Sequence, residues 1–549
     1  MPTGADEPLD VLVVGAGPTG LALAFQLVDF GTRFRVVDRQ PDRVHESRAL
    51  AIQPRTLEVL ARHGLSQRLV ERGNSAARLR LHVGGRVVSL QLFDLGIEDT
   101  AYPYLLLLSQ AETEAILGEH LSRRGVLAER GVELVDLEPR DSLVACRLRH
   151  PDGTEEIVQA RYVAGCDGAH STVRQRSRIG FRGYAYPQTF LLADLEVDGL
   201  EPDAQHAFVT GTGLLLFFPL GAPATWRLIT MRSPRDPAGP VTLGQLQVLA
   251  DRYAGPGLRL HDPVWMTDFK LHNRGAAHYR SGPVFLAGDA AHIHSPAGGQ
   301  GMNTGIQDAI NLGWKLGLVC RGDAVPSLLD TYEIERGPVG RAVLRFTDRA
   351  FSVATTTNPA LRLIRSEVVP RLAPIVLRFR RLRGMAFRTV SELSIHYRRS
   401  PVSVDGPGGR GHGIAAGMRL PDAPVLVDGR TTTLHMMTTA PKFHLLLCGP
   451  LAAWPDVKAG GIAGSWPDLV AVHHLGRDRG PGTLYDQQGL ALRRLRLRPS
   501  EPAHYLVRPD GYIAYRAAST DLTGLRRYLR HWLAAGPQSQ PDGRAGDTT

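Results

Sequence analysis

Three clusters in this sequence join glycines to an acid or to the start of a helix, a combination suited to phosphates and polyols. The first is Gly15-Ala16-Gly17-Pro18-Thr19-Gly20. Gly15 lets the chain turn tightly, Gly17 lets a pyrophosphate approach the backbone, and Gly20 lets a helix pack closely on a strand. The helix that follows turns free N–H groups and a positive dipole end toward the phosphates. Asp38, followed by Arg39, lies about twenty residues further on, where an acid holds a ribose hydroxyl. A lone G-x-G-x-x-G is a weak signal. This one has its strand, helix and acid in place, which points to dinucleotide binding without choosing between FAD and NAD.

The second cluster is Gly165-Cys166-Asp167-Gly168-Ala169-His170-Ser171-Thr172-Val173-Arg174. Asp-Gly after a β-rich run is a common turn. Here it opens onto a Ser/Thr helix start followed by basic residues, so it reads either as a plain turn or as a second anion-facing site. The third runs from Gly288-Asp289 to Pro296-Ala297-Gly298-Gly299-Gln300-Gly301-Met302-Asn303. Asp289 ends a strand among small neighbours and can accept hydrogen bonds from a polyol. The glycines precede a long helix, so backbone N–H groups there can face an anion, including the charge that a reduced flavin carries at N1–C2=O. The plainer reading is a loop that needs flexible glycines. His292 and His294 lie close by, but loop histidines are more often structural, and no catalytic base is assigned.

The elements that position these clusters follow from hydrophobic periodicity. Leu9–Val14 reads as a strand, Leu21–Phe30 as an amphipathic helix and Arg33–Val37 as a strand ending at Asp38. Helices are expected at Arg55–His63 and Ala111–Ser122, and a strand at Arg161–Ala164 just before the second cluster. From Thr189 to about Asn273 strands dominate, interrupted by one helix near Leu243–Tyr253. Pro283–Asp289 returns to a buried-strand pattern, and a helix over about Thr304–Cys320 follows. Pro407–Gly413 reads as a linker. Short strands and a closing helix at Thr520–Leu533 make a further small α/β domain.

A chain of 549 residues implies two or three domains. Its net charge of +10 comes almost wholly from scattered arginine, without the tight basic run of a nucleic-acid arm. Cys146, Cys166, Cys320 and Cys448 form neither a C-x-x-C nor a zinc spacing, so no disulfide framework and no metal are expected. No apolar stretch reaches the ~20 residues of a membrane span, and the N-terminus has no signal-peptide pattern; the expected compartment is the cytoplasm.

In this order, the three clusters resemble the class A flavoprotein monooxygenases, the para-hydroxybenzoate hydroxylase and phenol hydroxylase group. The resemblance is most specific at Gly165–Gly168 and at Gly288-Asp289 with Gly298–Asn303, and it includes Ser47-Arg48-Ala49 and Gln110. It covers roughly residues 9–400. From Gly417-Met418-Arg419 to Asp510-Gly511-Tyr512 the chain is similar to the thioredoxin-like C-terminal domain of the phenol hydroxylase branch, a layout shared with aromatic polyketide hydroxylases. The implied architecture is α/β. A Rossmann-type FAD-binding domain takes residues 1–180 and 275–400, and a β-sheet substrate domain takes 181–274, with 79–100 contributing to its layer. A linker at 401–416, a thioredoxin-like domain at 417–535 and a disordered tail at 536–549 follow.

The resemblance also implies roles. Gly15, Gly17, Pro18, Thr19 and Gly20 cradle the pyrophosphate of non-covalent FAD; Asp38 and Arg39 meet its adenosine end, where most members have Glu in place of Asp38. Arg48 and Gln110 contact FAD, Asp167 serves both FAD and NAD(P)H, and Gly288-Asp289 holds the ribityl chain. Pro296, Gly298, Gly299, Gly301, Met302 and Asn303 line the isoalloxazine edge. NAD(P)H reduces the flavin, dioxygen gives a C4a-hydroperoxyflavin, and an electron-rich aromatic carbon is hydroxylated. Phe217, Phe218, Pro219 and Trp226 are candidate walls for the aromatic substrate, although each also fits an ordinary core at period two. The C-terminal domain, with only Cys448, is expected to serve packing or a homodimer contact. A Baeyer–Villiger oxygenase would share the scaffold. A flavin-dependent halogenase would need a W-x-W-x-I-P segment that this chain lacks. A non-enzymatic, FAD-retaining binding or scaffold protein is the alternative from another class.

Overall fold

The computed structural model describes residues 7–43, 49–75, 78–83, 86–91, 97–202, 204–210, 213–220, 224–232, 239–295, 298–355, 380–408, 413–455 and 461–534. Arg48, Pro296, part of the expected linker and the expected tail lie outside the described residues. The chain divides into two compact units, Met1–Trp314 with Tyr332–His396, and Lys315–Thr331 with Tyr397–Thr549.

In the first unit β1 (Leu9–Val14) is apolar and buried along nearly its whole length, as a central parallel strand must be. It leads into α1 (Pro18–Asp29), which has Pro18 in its first turn, and then β2 (Phe34–Asp38). The helix α2 (Gln110–Arg123) starts where Ser109 Oγ accepts from the Glu112 amide. Later come β3 (Glu155–Gly165), β4 (Phe181–Asp198), β5 (Leu214–Pro219), β6 (Trp226–Met231), α3 (Leu243–Ala254) and β7 (Arg259–Ala276). They are followed by β8 (Val284–Leu286), α4 (Gly301–Cys320), α5 (Asp330–Thr355) and α6 (Arg380–Val390).

The first sheet runs Arg280–Ser281, β8, β3, β1, β2, Glu129–Arg130, with β8, β3, β1 and β2 mutually parallel. Register is the informative feature. Val14 pairs with Gly165 and Gly165 with Leu286, so β1, β3 and β8 end level with one another. The ladder continues one step beyond them: Gly15 N donates to Val37 O at 2.7 Å, Cys166 N to Val14 O at 2.7 Å and Ala287 N to Gly165 O at 3.0 Å. All three glycine-bearing clusters therefore leave the same edge of the sheet, the carboxyl ends where parallel α/β sheets bind ligands.

The second sheet runs His292–Ile293, β7, β4, β6, β5, Ala204–Val209, Arg78–Val83, Arg86–Gln91. Residues 78–83 and 86–91 thus belong to this layer, joined by a parallel pairing to Ala204–Val209. One face packs on α3, through Leu191, Leu195, Phe217, Trp226, Leu228 and Leu246. The start of α3 is fixed by a capping box between Thr242 and Gln245.

The second unit holds an eight-stranded mixed sheet in which Phe443–Cys448 lies between Ala503–Val507, antiparallel, and Val470–Gly476, parallel. Its closing helix spans Thr523–Trp532. Cys448 sits in the core of this unit with no exposed surface, and burial pushes its thiol far above the ordinary range. A thiol that takes part in redox exchange needs exposure and a lowered pKa; this one has neither. Cys448→Ser should therefore leave turnover per folded molecule at the wild-type level while lowering stability by about 1–3 kcal/mol for the buried hydroxyl. Parallel melting curves and activity assays decide this; a large fall in turnover with folding and FAD content intact would contradict it.

Candidate active site

The turn after β1 is built from contacts that exclude larger residues. Gly15 has φ +104°, and a Cβ on Gly20 would lie 1.8 Å from Gly15 O. A Cβ on Gly17, by contrast, would meet only Glu114 Oε1 at 3.9 Å, so the backbone there has an open approach. No side chain caps the start of α1. Asp38 accepts from the Ala16 amide at 2.6 Å and from Gln40 N at 2.8 Å. Arg130 approaches Asp38 at 3.5 Å and donates to Ala16 O at 3.2 Å. Asp38 thus stiffens the turn as well as standing at its mouth, and Arg130, absent from the sequence reading, joins it there. Arg39 is exposed beside it. Thr19 has a packing role: a Cβ on Gly288 or on Gly305 would lie 2.5 Å from its Oγ1. Gln110, at the head of α2, donates to Glu114 Oε1 at 2.8 Å.

At the second cluster Asp167 Oδ2 accepts from Val173 N at 3.1 Å, while Oδ1 is buried and has no hydrogen-bond partner among the described residues. Burial raises the Asp167 carboxyl above its ordinary value, against hydrogen bonds from Ser171 and Val173 that lower it. Such an acceptor lacks a donor, and the hydroxyls and N–H groups of a nucleotide cofactor are donors of the right kind. Arg174 ties this loop to the third cluster by donating to Ala169 O and to Ala290 O. On β7 the His272 imidazole is held below its ordinary value by burial, Arg274, His170 and Lys270.

At the third cluster Gly288 has φ +61° and Asp289 is exposed just beyond the end of β8. The ground beneath is a buried ionic group. Asp308 accepts from Gly288 N at 3.1 Å, His292 Nε2 at 2.8 Å and Arg336 Nε at 2.6 Å. Burial alone would raise the Asp308 carboxyl, but Arg336 and His292 hold it below the usual range. His292 is therefore structural. A carboxylate on a helix buried along nearly its whole length was the sequence signal for this group, since a buried carboxylate must be paired.

Gly298 and Gly299 have φ of +84° and +63°, and a Cβ on Gly299 would lie 2.8 Å from Ala51 Cβ. Gly301 and Met302 open α4. Asn303, expected at the flavin edge, has a fully buried side chain that holds backbone. Nδ2 donates to Ala51 O and Gly299 O, and Oδ1 accepts from Gln53 N at 2.8 Å. Asn303 shapes the loop, leaving the loop's backbone and the α4 N-terminus to face a ligand.

The expected substrate wall needs correction. Phe217 and Trp226 point into the α3 core, and Pro219 pairs with Trp226 on that side. Only Phe218 looks the other way, toward Leu50, Leu107 and Leu220. Adjacent strand residues alternate faces, so three consecutive positions cannot share one wall. Across the sheet Phe218 is in register with Arg227, Asp194 and Trp265. Arg227 is fully buried and forms a fork on Asp194, with two bonds of 2.7 Å; Trp265 Nε1 donates to Asp194 at 2.9 Å, and Arg227 reaches Ala49 O at 3.2 Å. The next rows add Leu216, Ile229 and Leu192, then Met231, Phe190 and Phe269. This face and the Gly298–Asn303 loop flank the same Ala49–Ile52 segment.

The open approach at Gly17, the donor-seeking Asp167, the exposed Asp289 and the glycine loop at α4 suit FAD. Among the described residues no cluster suits a metal ion, and no helix is long and apolar enough to cross a membrane.

Comparison with known proteins agrees. Residues 8–347 match a family described as FAD binding domain, and residues 414–536 one described as aromatic-ring hydroxylase, C-terminal. The chain is 37% identical to the 6-methylpretetramide 4-monooxygenase of Streptomyces rimosus, covering 96% of this chain and 94% of that one. It is similar to the solved anhydrotetracycline hydroxylase of the same organism, with TM-score 0.77, 31% identity and coverage of 96% and 99%. It is also similar to an aklavinone-11 hydroxylase crystallised with FAD and aklavinone, with TM-score 0.79, 25% identity and coverage of 96% and 99%.

Asp289→Ala is expected to weaken FAD binding more than Asp167→Ala, because Asp289 is exposed beyond the end of β8 whereas Asp167 already spends one oxygen on its own loop. Loss of a charge-assisted hydrogen bond costs about 1.5–3 kcal/mol, roughly tenfold to a hundredfold in affinity. Titrating the two apo-proteins with FAD measures it; equal dissociation constants would reject the ranking.

Proposed function

Since the chain belongs to the FAD-dependent aromatic-ring hydroxylases, we propose that it inserts one oxygen atom from dioxygen into an electron-rich ring of a multi-ring aromatic polyketide, at the expense of NAD(P)H. Bound FAD supplies the chemistry by accepting hydride from the nicotinamide and activating dioxygen. The chain's own residues bind, orient and exclude water. In this reading the Gly15–Gly20 turn holds the pyrophosphate, Asp38 and Arg130 stand at the adenosine end, and Asp289 holds the ribityl chain. Backbone N–H groups at the start of α4 then favour negative charge on the flavin. Arg274, whose charge acts on Arg174 of the Asp167 loop, offers a cationic partner for the phosphates of NAD(P)H.

The observation that carries the substrate class is the sheet face of Phe218, Ile229, Met231 and Phe269 with the Arg227–Asp194–Trp265 row. It crosses four adjacent strands, about 14 Å over three strand spacings, bounded by Leu50 and Leu107 at the Phe218 end and by Phe351 beside Phe190. The relatives named above act, by their names, on methylpretetramide, anhydrotetracycline and aklavinone, and a flat multi-ring molecule of that kind matches this face. Trp265 adds an aromatic surface at one end, held there by its bond to Asp194.

The test is oxidation of NADPH and of NADH by the FAD-loaded protein, with and without a multi-ring aromatic polyketide. The proposal expects the polyketide to stimulate oxidation and to gain one oxygen as a phenolic hydroxyl, identified by mass and NMR. A ring-expanded ester would instead establish Baeyer–Villiger chemistry. Oxidation that no aromatic compound stimulates, with no oxygenated product, would leave a binding protein.

A further inference from the structure

The chain returns to the flavin loop from an unexpected direction. After α6, residues 390–392 lie against the start of α4. Gln300 donates to Val390 O at 3.4 Å, and Arg55 N donates to Ser391 O at 3.4 Å. Glu392 itself has φ +62°, a left-handed backbone that glycine adopts freely and glutamate adopts at a cost. Its side chain is buried and accepts hydrogen bonds from Thr304 Oγ1 at 2.8 Å and from Gln307 Nε2. A carboxylate kept in a strained backbone position, aimed into the first turns of a helix and met by two donors, is a built contact.

We propose that Glu392 is a positioning residue for the flavin: it fixes the first two turns of α4 through Thr304 and Gln307, and its ionisation sets how well that helix end supports negative charge on the cofactor. The inference rests on the reading that the flavin ring lies at the Gly298–Asn303 loop. Burial pushes the Glu392 carboxyl up to about 7, against Thr304, Arg336 and Gln307, which lower it. The charged and polar groups facing it are Thr304, Gln307 and Asp308 on α4, Arg336 on α5, and Thr56 with the buried Arg55–Glu58 pair on the helix Pro54–Ala61. On its own side Arg388 is occupied by Asp99. His292 is reached through Asp308.

The sign follows from charge. Below about pH 7 Glu392 is neutral and the helix end keeps its full positive potential. As pH rises through 7 the carboxylate becomes negative, offsets that potential and disfavours the reduced, anionic flavin. Above that range Glu392→Gln, which keeps size and an acceptor but stays neutral, should raise the ratio of reduced to oxidised flavin at a fixed reference-dye ratio by roughly threefold to tenfold. At pH 6 the variant and the wild type should agree. Glu392→Gly, which suits the backbone but removes the contact, should weaken FAD binding severalfold at every pH.

The experiment is equilibration of the FAD-loaded proteins against a redox dye from pH 6 to 8.5, with FAD titration of the apo-proteins and melting curves alongside. Superimposable dye curves for wild type and the Gln variant, or unaltered FAD affinity in the Gly variant, overturn the proposal. If the Gln variant does not fold, Thr304→Val takes its place: it removes one donor, so the inflection of the wild-type curve must move to higher pH, and no movement overturns the proposal. Gly299→Ala distinguishes the two layers of the reading. If it leaves FAD affinity unchanged, the placement of the flavin falls and the role of Glu392 with it; if it weakens FAD and Glu392→Gln changes nothing, only the role of Glu392 falls.

Discussion

The parallel register of β1, β3 and β8 is the constraint from which the site follows. Val14, Gly165 and Leu286 end level, so three loops far apart in sequence leave the sheet side by side. A shift of one residue in any strand would turn its side chains over and carry its loop out of line. Side chains then hold the loops at fixed spacings. Arg174 bridges the second and third, Thr19 wedges the first against Gly288 and Gly305, and Asn303 ties the glycine loop to Ala51 and Gln53.

The second sheet supplies what the first cannot, a broad partly apolar face. Its two sides are divided by alternation alone: Phe217 and Trp226 fill the α3 core, and Phe218 and Arg227 face the other way. Arg227 shows how such a face is held. A fully buried guanidinium is tolerable because Asp194 meets it with two bonds and Trp265 completes the carboxylate. Its remaining donor reaches Ala49 O, so the sheet carrying the substrate face is fastened to the segment that also packs on the glycine loop.

Much of this was legible from residue types because local rules determine it. Glycine spacing, a β-branched run and a following acid identify the first turn, and the helix now seen at Gly301–Cys320 was expected from about Thr304. What was not legible depends on pairing between distant strands. The face of Phe217 against that of Phe218 is fixed by the register of β5 with β6, which no local pattern reveals. Arg130, Asp194 and Glu392 acquire meaning only from partners outside their own neighbourhoods, Asp38, Arg227 and Thr304 respectively. Asn303, placed at the isoalloxazine edge by the resemblance, spends its side-chain donors and acceptor on backbone, which no local pattern shows.

A structure of the protein with FAD and a multi-ring aromatic substrate tests the account most directly. FAD density is expected across the carboxyl ends of β1, β3 and β8, with the ring system at the Gly298–Asn303 loop and the substrate between it and the Phe218–Arg227 face. Density for the substrate on the α3 side of the sheet, against Phe217 and Trp226, or a flavin ring away from the α4 N-terminus, would contradict it.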